Sequence, residues 1–278
     1  YGIDAWTKLP RARREGLRRA DFVVAISEYT KQRAIEANGV PAERFHVLPN
    51  ALEHSAQKFA LELSQIPPPS GMRLLSVCRL DAAEQYKGVD TVIESLPAIA
   101  AQVPDVQYLI VGGGTDVERH QQLARNAGVA ERVHFLGFVD DAKLRAYYQA
   151  CDVFVMPSAG EGFGFVYLEA MEYSKPVVAA RSGGAPEVVE DGVTGTLVEY
   201  GDVRQLAETL VRLCGDSELR TRFGRAGYNR LHERFTYPQF RQTLTDILRD
   251  ELQPAASHDA RRRNLLNSVR SAGGRRLL

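Results

Sequence analysis

Two glutamates flank a glycine-rich segment near the middle of the sequence. Glu161 lies in residues 157–164, which also hold Gly160, Gly162 and Gly164, and Glu169 follows eight residues after Glu161. The apolar run 153–156 predicts a buried strand, and the apolar-rich segment from Phe165 onwards predicts a helix with Glu169 about two turns into it. A strand, glycine loop and helix in this order direct backbone N–H groups and the positive helix end towards one place, which favours an anion. The pair can then hold opposite ends of one elongated ligand, whereas a glycine turn followed by a surface glutamate is the plainer alternative.

Two cations precede this segment. Arg79 follows an earlier predicted strand, and Lys87-Gly88 opens the next predicted helix after a polar loop. Cations at a strand end and a helix start suit a diphosphate, although surface charges in a loop are the alternative. Glycines 112–114 predict a tight strand-to-helix turn without the G-x-G-x-x-G spacing, so they are a weak dinucleotide fingerprint. A further turn at 137–141 is a candidate base or ribose pocket.

From residue 72 the sequence alternates regularly between strands and helices. Strands are predicted at 73–77, 106–111, 133–136, 153–156, 176–179 and 195–198. Helices are predicted at 88–102, 116–127, 141–150, 165–172, 185–190, 203–213, 217–234 and 237–250. This alternation predicts an α/β fold with a Rossmann-like, doubly wound parallel sheet. Ligands of such sheets bind at the carboxyl ends of the strands, where all the candidate residues fall.

The remaining segments suggest a division of the chain. We expect residues 1–50 to be the end of a domain, 51–71 a linker, 72–250 the main domain and 251–278 a basic, disordered tail, with a basic amphipathic helix at 263–269 as the alternative. Within the first part, the patterns predict a strand end at 1–6, helices at 10–19 and 27–38, and short strands at 21–26 and 45–48. The arginines of the helix at 10–19 suit phospholipid head groups, but a solvated face is the more frequent role of such a run.

The composition excludes several classes of function. The 278 residues carry 35 Lys and Arg against 35 Asp and Glu, so no net charge points to nucleic acid. The three cysteines are too few and too scattered for a disulfide framework, which fits a reducing, cytoplasmic compartment. The six histidines have no metal-ligand spacing, so we predict neither a metal nor a cofactor. No apolar run is long enough to span a bilayer, and no signal peptide is visible.

Together these motifs resemble the retaining GT-B glycosyltransferases of family 4, the glycosyl transferases group 1 class. Glu161 and Glu169 match the E-x7-E pair of that family. The resemblance also rests on Lys-Pro-Val-Val at 175–178, Gly-Gly-Ala-Pro-Glu at 183–187, Asp-Gly-Val-Thr-Gly at 191–195, Arg79, Lys87-Gly88, Asn50 after Leu48-Pro49, and the segments 20–21 and 27–31. It covers residues 1–250 and is specific for the family, but it does not identify the sugar.

The resemblance implies a role for each candidate residue. Arg79 and Lys87 would hold the diphosphate of a nucleotide-sugar donor, and Glu161 would bind hydroxyls of the donor sugar. Donor contacts would also come from backbone N–H groups of the glycine loop, from Glu169 on the ribose and from a turn near the base; these residues are Gly162, Phe163, Gly164, Phe165, Glu169, Leu136, Gly137 and Phe138. No metal would be needed, because cations and a helix end meet the diphosphate charge. The sugar would pass, with retained configuration, to a glycan or lipid acceptor, in polysaccharide or glycolipid assembly at the inner membrane face.

The chain departs from the family pattern at its beginning. Family members carry a complete N-terminal domain that binds the acceptor, and residues 1–50 match only its end, so this domain is expected to be largely missing. Tyr1 stands where a histidine is frequent, and Ala51 replaces the usual glycine after Asn50. We therefore expect a fragment, a split protein that needs a separate N-terminal half, or a remnant. The alternative function is a non-catalytic nucleotide-sugar-binding half or subunit; an epimerase or phosphorylase of the same fold would lack the E-x7-E pair.

Overall fold

The central feature of the fold is one six-stranded parallel sheet. A computed structural model describes residues 2–53 and 71–252. The strands are β3 (Arg73–Val77), β4 (Gln107–Val111), β5 (Val133–Gly137), β6 (Val153–Met156), β7 (Val177–Ala180) and β8 (Gly195–Val198), in the spatial order β5-β4-β3-β6-β7-β8. Every neighbouring pair is parallel. The predicted α/β fold with a parallel sheet is thus confirmed, with each strand within one residue of its expected bounds.

Helices cover both faces of this sheet because alternate strand residues point in opposite directions. The helices are α3 (Val89–Ala100), α4 (Val117–Asn126), α5 (Asp141–Ala150), α6 (Phe165–Glu172), α7 (Ala185–Val188), α8 (Val203–Gly215), α9 (Ser217–Arg234) and α10 (Tyr237–Glu251). Leu74 packs into one apolar cluster with α3 and α8, whereas the next residue, Leu75, packs into the opposite cluster with α6. Burial on both faces explains why the strands are continuous apolar runs in the sequence.

The direction of the chain reverses at β3. From β3 the chain builds outwards through β4 to β5, and it then returns to add β6, β7 and β8 on the other side. The loops after β3 and β6 therefore leave the sheet as neighbours and diverge to opposite faces. This separation opens a crevice at the carboxyl ends of the strands, which is the usual ligand site of an open α/β sheet.

The N-terminal part forms a small parallel pair with two helices. Strands β1 (Val23–Ala25) and β2 (Phe45–Val47) pair in register, next to α1 (Arg11–Arg19) and α2 (Glu28–Asn38). Residues Gly2–Ala5 form a short 3₁₀ helix, so the predicted strand end at 1–6 is wrong. Tertiary packing decides this segment, since Trp6 is buried and its indole Nε1 donates to Thr30 Oγ1 at 3.3 Å.

Several sequence predictions receive no test here. No residue of α1 is buried, and Arg18 donates to the Asn38 carbonyl oxygen, but contact of this helix with phospholipid stays a prediction. The linker residues 54–70 and the tail from 253 onwards lie outside the described residues, and the division into domains also stays a prediction. Among residues 2–53 and 71–252, no helix is long and apolar enough to cross a membrane.

Candidate functional site

A largely buried ion pair joins the two sides of the crevice. Lys87 Nζ donates to Glu161 Oε1 at 2.6 Å, and the two side chains are only 17% and 13% exposed. Burial alone lowers the pKa of Lys87, but the charge and hydrogen bond of Glu161 outweigh burial and raise this pKa above its ordinary value. Lys87 is therefore a fixed cation at neutral pH, 74 residues away in sequence from its carboxylate.

The glycine loop, residues 157–164, rests directly on the segment that carries Lys87. Ala159 N–H donates to the Tyr86 carbonyl oxygen at 2.8 Å. Gly88 has a φ of 79°, and a Cβ atom there would lie 2.4 Å from the Pro157 carbonyl oxygen. Only glycine permits both this backbone conformation and this close approach. The contact between the two segments explains how Glu161 reaches Lys87.

The segment before Gly88 is more ordered than its sequence predicts. The expected polar loop contains a 3₁₀ helix, Ala82–Lys87, and Lys87 ends this helix rather than opening α3. Arg79 forms an ion pair with Glu84 of the same segment. The Arg79 side chain is 68% exposed, whereas that of Glu84 is 11% exposed and has one buried carboxylate oxygen without a hydrogen-bond partner in the described structure. Arg79 is thus available at the crevice, held at its edge by a buried carboxylate.

A polar network fixes the first turn of α3, beside Lys87. Asp90 accepts from Arg119 Nη1 at 2.8 Å, and its other oxygen lies 3.0 Å from His120 Nε2. Burial raises the pKa of Asp90, but the hydrogen bonds from His120 and Arg119 outweigh burial and lower it to about 2. Because Arg119 and His120 belong to α4, this network joins the starts of two neighbouring helices at the crevice.

The start of α6 presents backbone groups to the same place. Gly164 precedes the helix with a φ of 98°, and no side chain of the described chain caps it. Its helical N–H groups therefore remain directed at the crevice, as an anion site requires. Phe163 is buried and packs against Phe235, while Phe165 is 45% exposed. Because the Phe163 ring is buried, only the backbone of Phe163 is placed to contact a donor.

Glu169 lies in a different environment from Glu161. Tyr148 OH donates to Glu169 Oε2 at 2.6 Å. Burial raises the pKa of Glu169, and the hydrogen bond from Tyr148 opposes this increase. Glu169 is the fifth residue of α6, so it lies about one turn into the helix and not two. The two glutamates have separate partners, as expected if they serve opposite ends of a ligand.

The turn after β5 lies at the side of the crevice. Gly137 has a φ of 66°, and its carbonyl oxygen accepts from Gly112 N–H at 2.8 Å. Leu136 is partly buried against the core, whereas Phe138 is 81% exposed. The Phe138 ring lies near Gly113, where an added Cβ would be 3.0 Å from it. The exposed ring and the triple-glycine turn thus form one surface beside the crevice.

Sequence reasoning missed several partners of the site residues. Glu84 and Tyr148 hold Arg79 and Glu169, but they occur in segments without a distinctive spacing. The Cys78 thiol, also beside the site, has its pKa raised to about 12 by burial, which excludes a thiolate nucleophile at neutral pH. Within the described ranges, no group of three or more His, Cys, Asp or Glu side chains is placed to hold a metal ion.

Comparison with protein families identifies this architecture. Residues 73–230 match the family model "Glycosyl transferases group 1", and residues 3–56 match the model "Glycosyltransferase Family 4". The chain belongs to the glycosyl transferases group 1 family. Its fold is that of the GT-B glycosyltransferases, as structural neighbours also show.

The chain matches part of the length of similar proteins. A GDP-mannose-dependent alpha-(1-6)-phosphatidylinositol monomannoside mannosyltransferase of Mycolicibacterium smegmatis is 38% identical over 244 residues, which cover 80% of this chain and 61% of the relative. The protein of the same description from Mycobacterium tuberculosis is 34% identical, over 88% of this chain and 67% of the relative. The structure of Anabaena Alr3699/HepE in complex with UDP and glucose is 29% identical with a TM-score of 0.73, covering 86% of this chain and 66% of that one. The chain thus spans about two thirds or less of the length of these proteins.

Proposed function

We propose that this chain supplies the donor site of a retaining glycosyltransferase, which transfers a hexose from a nucleotide-diphosphate sugar to a glycan or lipid acceptor. The observation that carries the proposal is the buried pair of Lys87 and Glu161, set between the starts of α3 and α6. A cation, a carboxylate and free helical N–H groups meet there, at the carboxyl ends of β3 and β6, where the order of the strands reverses. This set suits a molecule that joins an anion to a polyol.

In this proposal each charge has a task in the transfer. Lys87 and Arg79 bind the diphosphate, and the N–H groups at the start of α6 stabilise the charge that develops on the departing nucleotide. Glu161 accepts hydrogen bonds from sugar hydroxyls, while Glu169 accepts one from the ribose. Both cations already pair with carboxylates, so a diphosphate must compete with Glu84 for Arg79. Arg79 can meet this demand because its side chain is largely exposed.

The identity of the donor is proposed from the relatives. The two mycobacterial mannosyltransferases are named for dependence on GDP-mannose, and they are more similar to this chain than the Anabaena protein bound to UDP. GDP-mannose is therefore the first donor to test and UDP-glucose the second. The names of the same relatives make a lipid-linked mannoside the first acceptor. Transfer proceeds without a metal ion in this proposal, because cations and a helix end meet the diphosphate.

Calorimetric titration of the chain with GDP-mannose and UDP-glucose, with and without a chelator, tests the donor site. We expect one donor to bind, and we expect Arg79→Ala and Glu161→Ala each to weaken its affinity by about tenfold or more, the usual cost of a lost hydrogen bond to a charged group. Arg204→Ala is the matched control, because Arg204 is 82% exposed and pairs with Glu208 on the surface of α8. Unchanged affinity in the Arg79 and Glu161 variants would contradict the site. Loss of binding on chelation would contradict metal independence.

Retention of configuration needs a separate measurement. Nuclear magnetic resonance of the product formed from GDP-mannose and a lipid-linked mannoside reports the configuration at the transferred anomeric carbon. An α-linked product from the α-linked donor supports retention. A β-linked product would refute it without affecting the assignment of the donor site.

A further inference from the structure

The first turn of α2, in the N-terminal part, is built against two loops of the donor site. The N–H groups that begin a helix have no partner within it and need acceptors from elsewhere. In α2 these are the N–H groups of Glu28, Tyr29 and Thr30, and all three have acceptors. Two of those acceptors belong to a residue about 160 positions away in the chain.

Glu187 is that distant residue. One carboxylate oxygen accepts from Glu28 N–H and the other from Tyr29 N–H, each at 2.8 Å. A carboxylate at a helix start is stabilised by the helix dipole as well as by hydrogen bonds. The backbone of Glu187 is also fixed, because Arg230 donates to the Glu187 carbonyl oxygen at 3.0 Å. The start of α2 is therefore anchored on α7, which follows β7 at the crevice.

Ser27 links the same helix start to the glycine loop. Its Oγ accepts from Thr30 N–H at 3.0 Å and donates its proton to the Gly162 carbonyl oxygen at 2.7 Å. Ser27 is fully buried, so water does not replace either bond in the folded protein. The hydroxyl thus both caps α2 and fixes the peptide group between Gly162 and Phe163, one residue after Glu161.

The only other donor to the Gly162 carbonyl oxygen among the described residues is the Thr30 hydroxyl, whose Oγ1 lies 3.5 Å away, at the limit of a hydrogen bond. The preceding carbonyl oxygen, that of Glu161, accepts from Gly184 N–H at 2.7 Å, and a Cβ on Gly184 would lie 2.4 Å from the Gly162 oxygen. Two carbonyl groups in succession are therefore fixed from outside the loop, one by Gly184 and one by Ser27. Because Gly162 is conformationally permissive and lies between these two peptide groups, loss of either bond allows the group that it held to rotate. Such rotation would move the backbone that carries the Glu161 side chain.

From these contacts we infer that Ser27 and Glu187 are positioning residues of the donor site, which hold Glu161 in place through the start of α2. The inference rests on the proposed function for its consequence in donor binding. Coupling of this kind is reciprocal, so a donor that orders residues 157–164 also stabilises the first turn of α2. Direct hydrogen bonds then couple ligand binding in the crevice to the stability of the N-terminal part.

Hydrogen exchange measured by mass spectrometry on the unliganded chain tests the inference without any donor. Ser27→Ala removes the bond to Gly162, so we expect faster exchange in peptides covering residues 157–164, and Ser27→Thr, which keeps a hydroxyl, should restore slow exchange. Asp216→Ala is the matched control. Asp216 caps α9 by accepting from Leu219 N–H at 2.8 Å. It follows α8, which runs from the carboxyl end of β8 back along the sheet, so Asp216 lies away from the crevice. The control should loosen α9 and leave the glycine loop unchanged.

A second variant covers the event that Ser27→Ala does not fold. Glu187→Gln is nearly isosteric but loses the charge and one acceptor oxygen, so exchange should accelerate at the first turn of α2 and in residues 157–164. Equal loop exchange in wild type, Ser27→Ala and Glu187→Gln would overturn the inference, as would loop loosening of the same size in Asp216→Ala.

Titration with GDP-mannose and UDP-glucose separates failure of the inference from failure of the proposed function. If the wild type binds one of them, Ser27→Ala should weaken binding about fivefold, the typical effect of one hydrogen bond, and Ser27→Thr should restore it. Unchanged affinity in Ser27→Ala would overturn the inference while the donor site stands. If the wild type binds neither nucleotide, the proposed function fails, and the exchange of residues 157–164 still decides whether Ser27 positions the loop.

Discussion

Glu161→Gln should leave Lys87 as a largely buried cation without its hydrogen-bonded counter-charge. At the 2.6 Å separation of Lys87 Nζ and Glu161 Oε1, the Coulomb attraction is about 6 kcal/mol for an effective dielectric constant of about 20. Removal of water from both groups offsets part of this attraction. Deletion of one partner of a buried pair typically costs about 3–5 kcal/mol, and these side chains retain slight exposure. We therefore expect Glu161→Gln to lower the free energy of unfolding by about 2–4 kcal/mol at pH 7.

The free energy of unfolding of Glu161→Gln should also depend on pH differently from that of the wild type. In the wild type the pKa of Lys87 is raised above 10.5, so the stability that it contributes is lost only at more alkaline pH. Without Glu161, burial dominates and lowers the pKa of folded Lys87 below its unfolded value. The unfolded chain then binds one more proton between these two pKa values, so the stability of the variant rises with pH there. The deficit relative to wild type should shrink between about pH 7 and pH 10.

Urea unfolding at several pH values measures both effects. Glu208→Gln is the control, because it breaks the exposed pair with Arg204 and should cost less than about 1 kcal/mol at every pH. The double variant Lys87→Met with Glu161→Gln should recover stability relative to Glu161→Gln alone, since no unpaired charge remains. A Glu161→Gln deficit no larger than that of Glu208→Gln, or one independent of pH, would refute the reasoning.

Three further predictions concern the surroundings of the pair. Gly88→Ala should destabilise the protein more than Gly201→Ala in thermal unfolding, because both glycines have φ near 79° but only Gly88 faces a carbonyl oxygen; equal losses would leave strain as the sole cause. Tyr148→Phe should lower the free energy of unfolding by about 1–2 kcal/mol, because it removes a hydrogen bond to a carboxylate. The same change should raise the pKa of Glu169 further in a carboxylate titration, since that hydrogen bond lowers it. An unchanged pKa would contradict the contact. Asp90→Asn should make the free energy of unfolding less sensitive to acid between about pH 4 and pH 2. The pKa of Asp90 is about 2, and the stability that this carboxylate contributes is lost as pH falls through that value. Unchanged acid sensitivity would show that the network contributes little.

The sequence by itself determines the sheet and the position of the site. Burial on both faces requires apolar runs such as 153–156, and the glycines between strands and helices mark where the backbone must turn. These are local properties, so they predict each strand of the six-stranded sheet to within a residue. They also place Arg79 and Glu161 after the ends of strands and Lys87 just before the next helix, and hence all three at one edge of the sheet. The family motifs add the expected roles, which the experiments above test.

Only the tertiary structure decides which groups become partners. Lys87 pairs with Glu161 across 74 positions, while Arg79 pairs with Glu84, which no spacing distinguishes from the other glutamates of the sequence. Ser27 caps α2, which begins within one residue of its predicted start, but its hydroxyl donates to a carbonyl oxygen 135 residues away. The physical reason is that periodicity records only whether a side chain faces the core. The choice among many charges and carbonyl groups depends on distances that the packed chain alone creates.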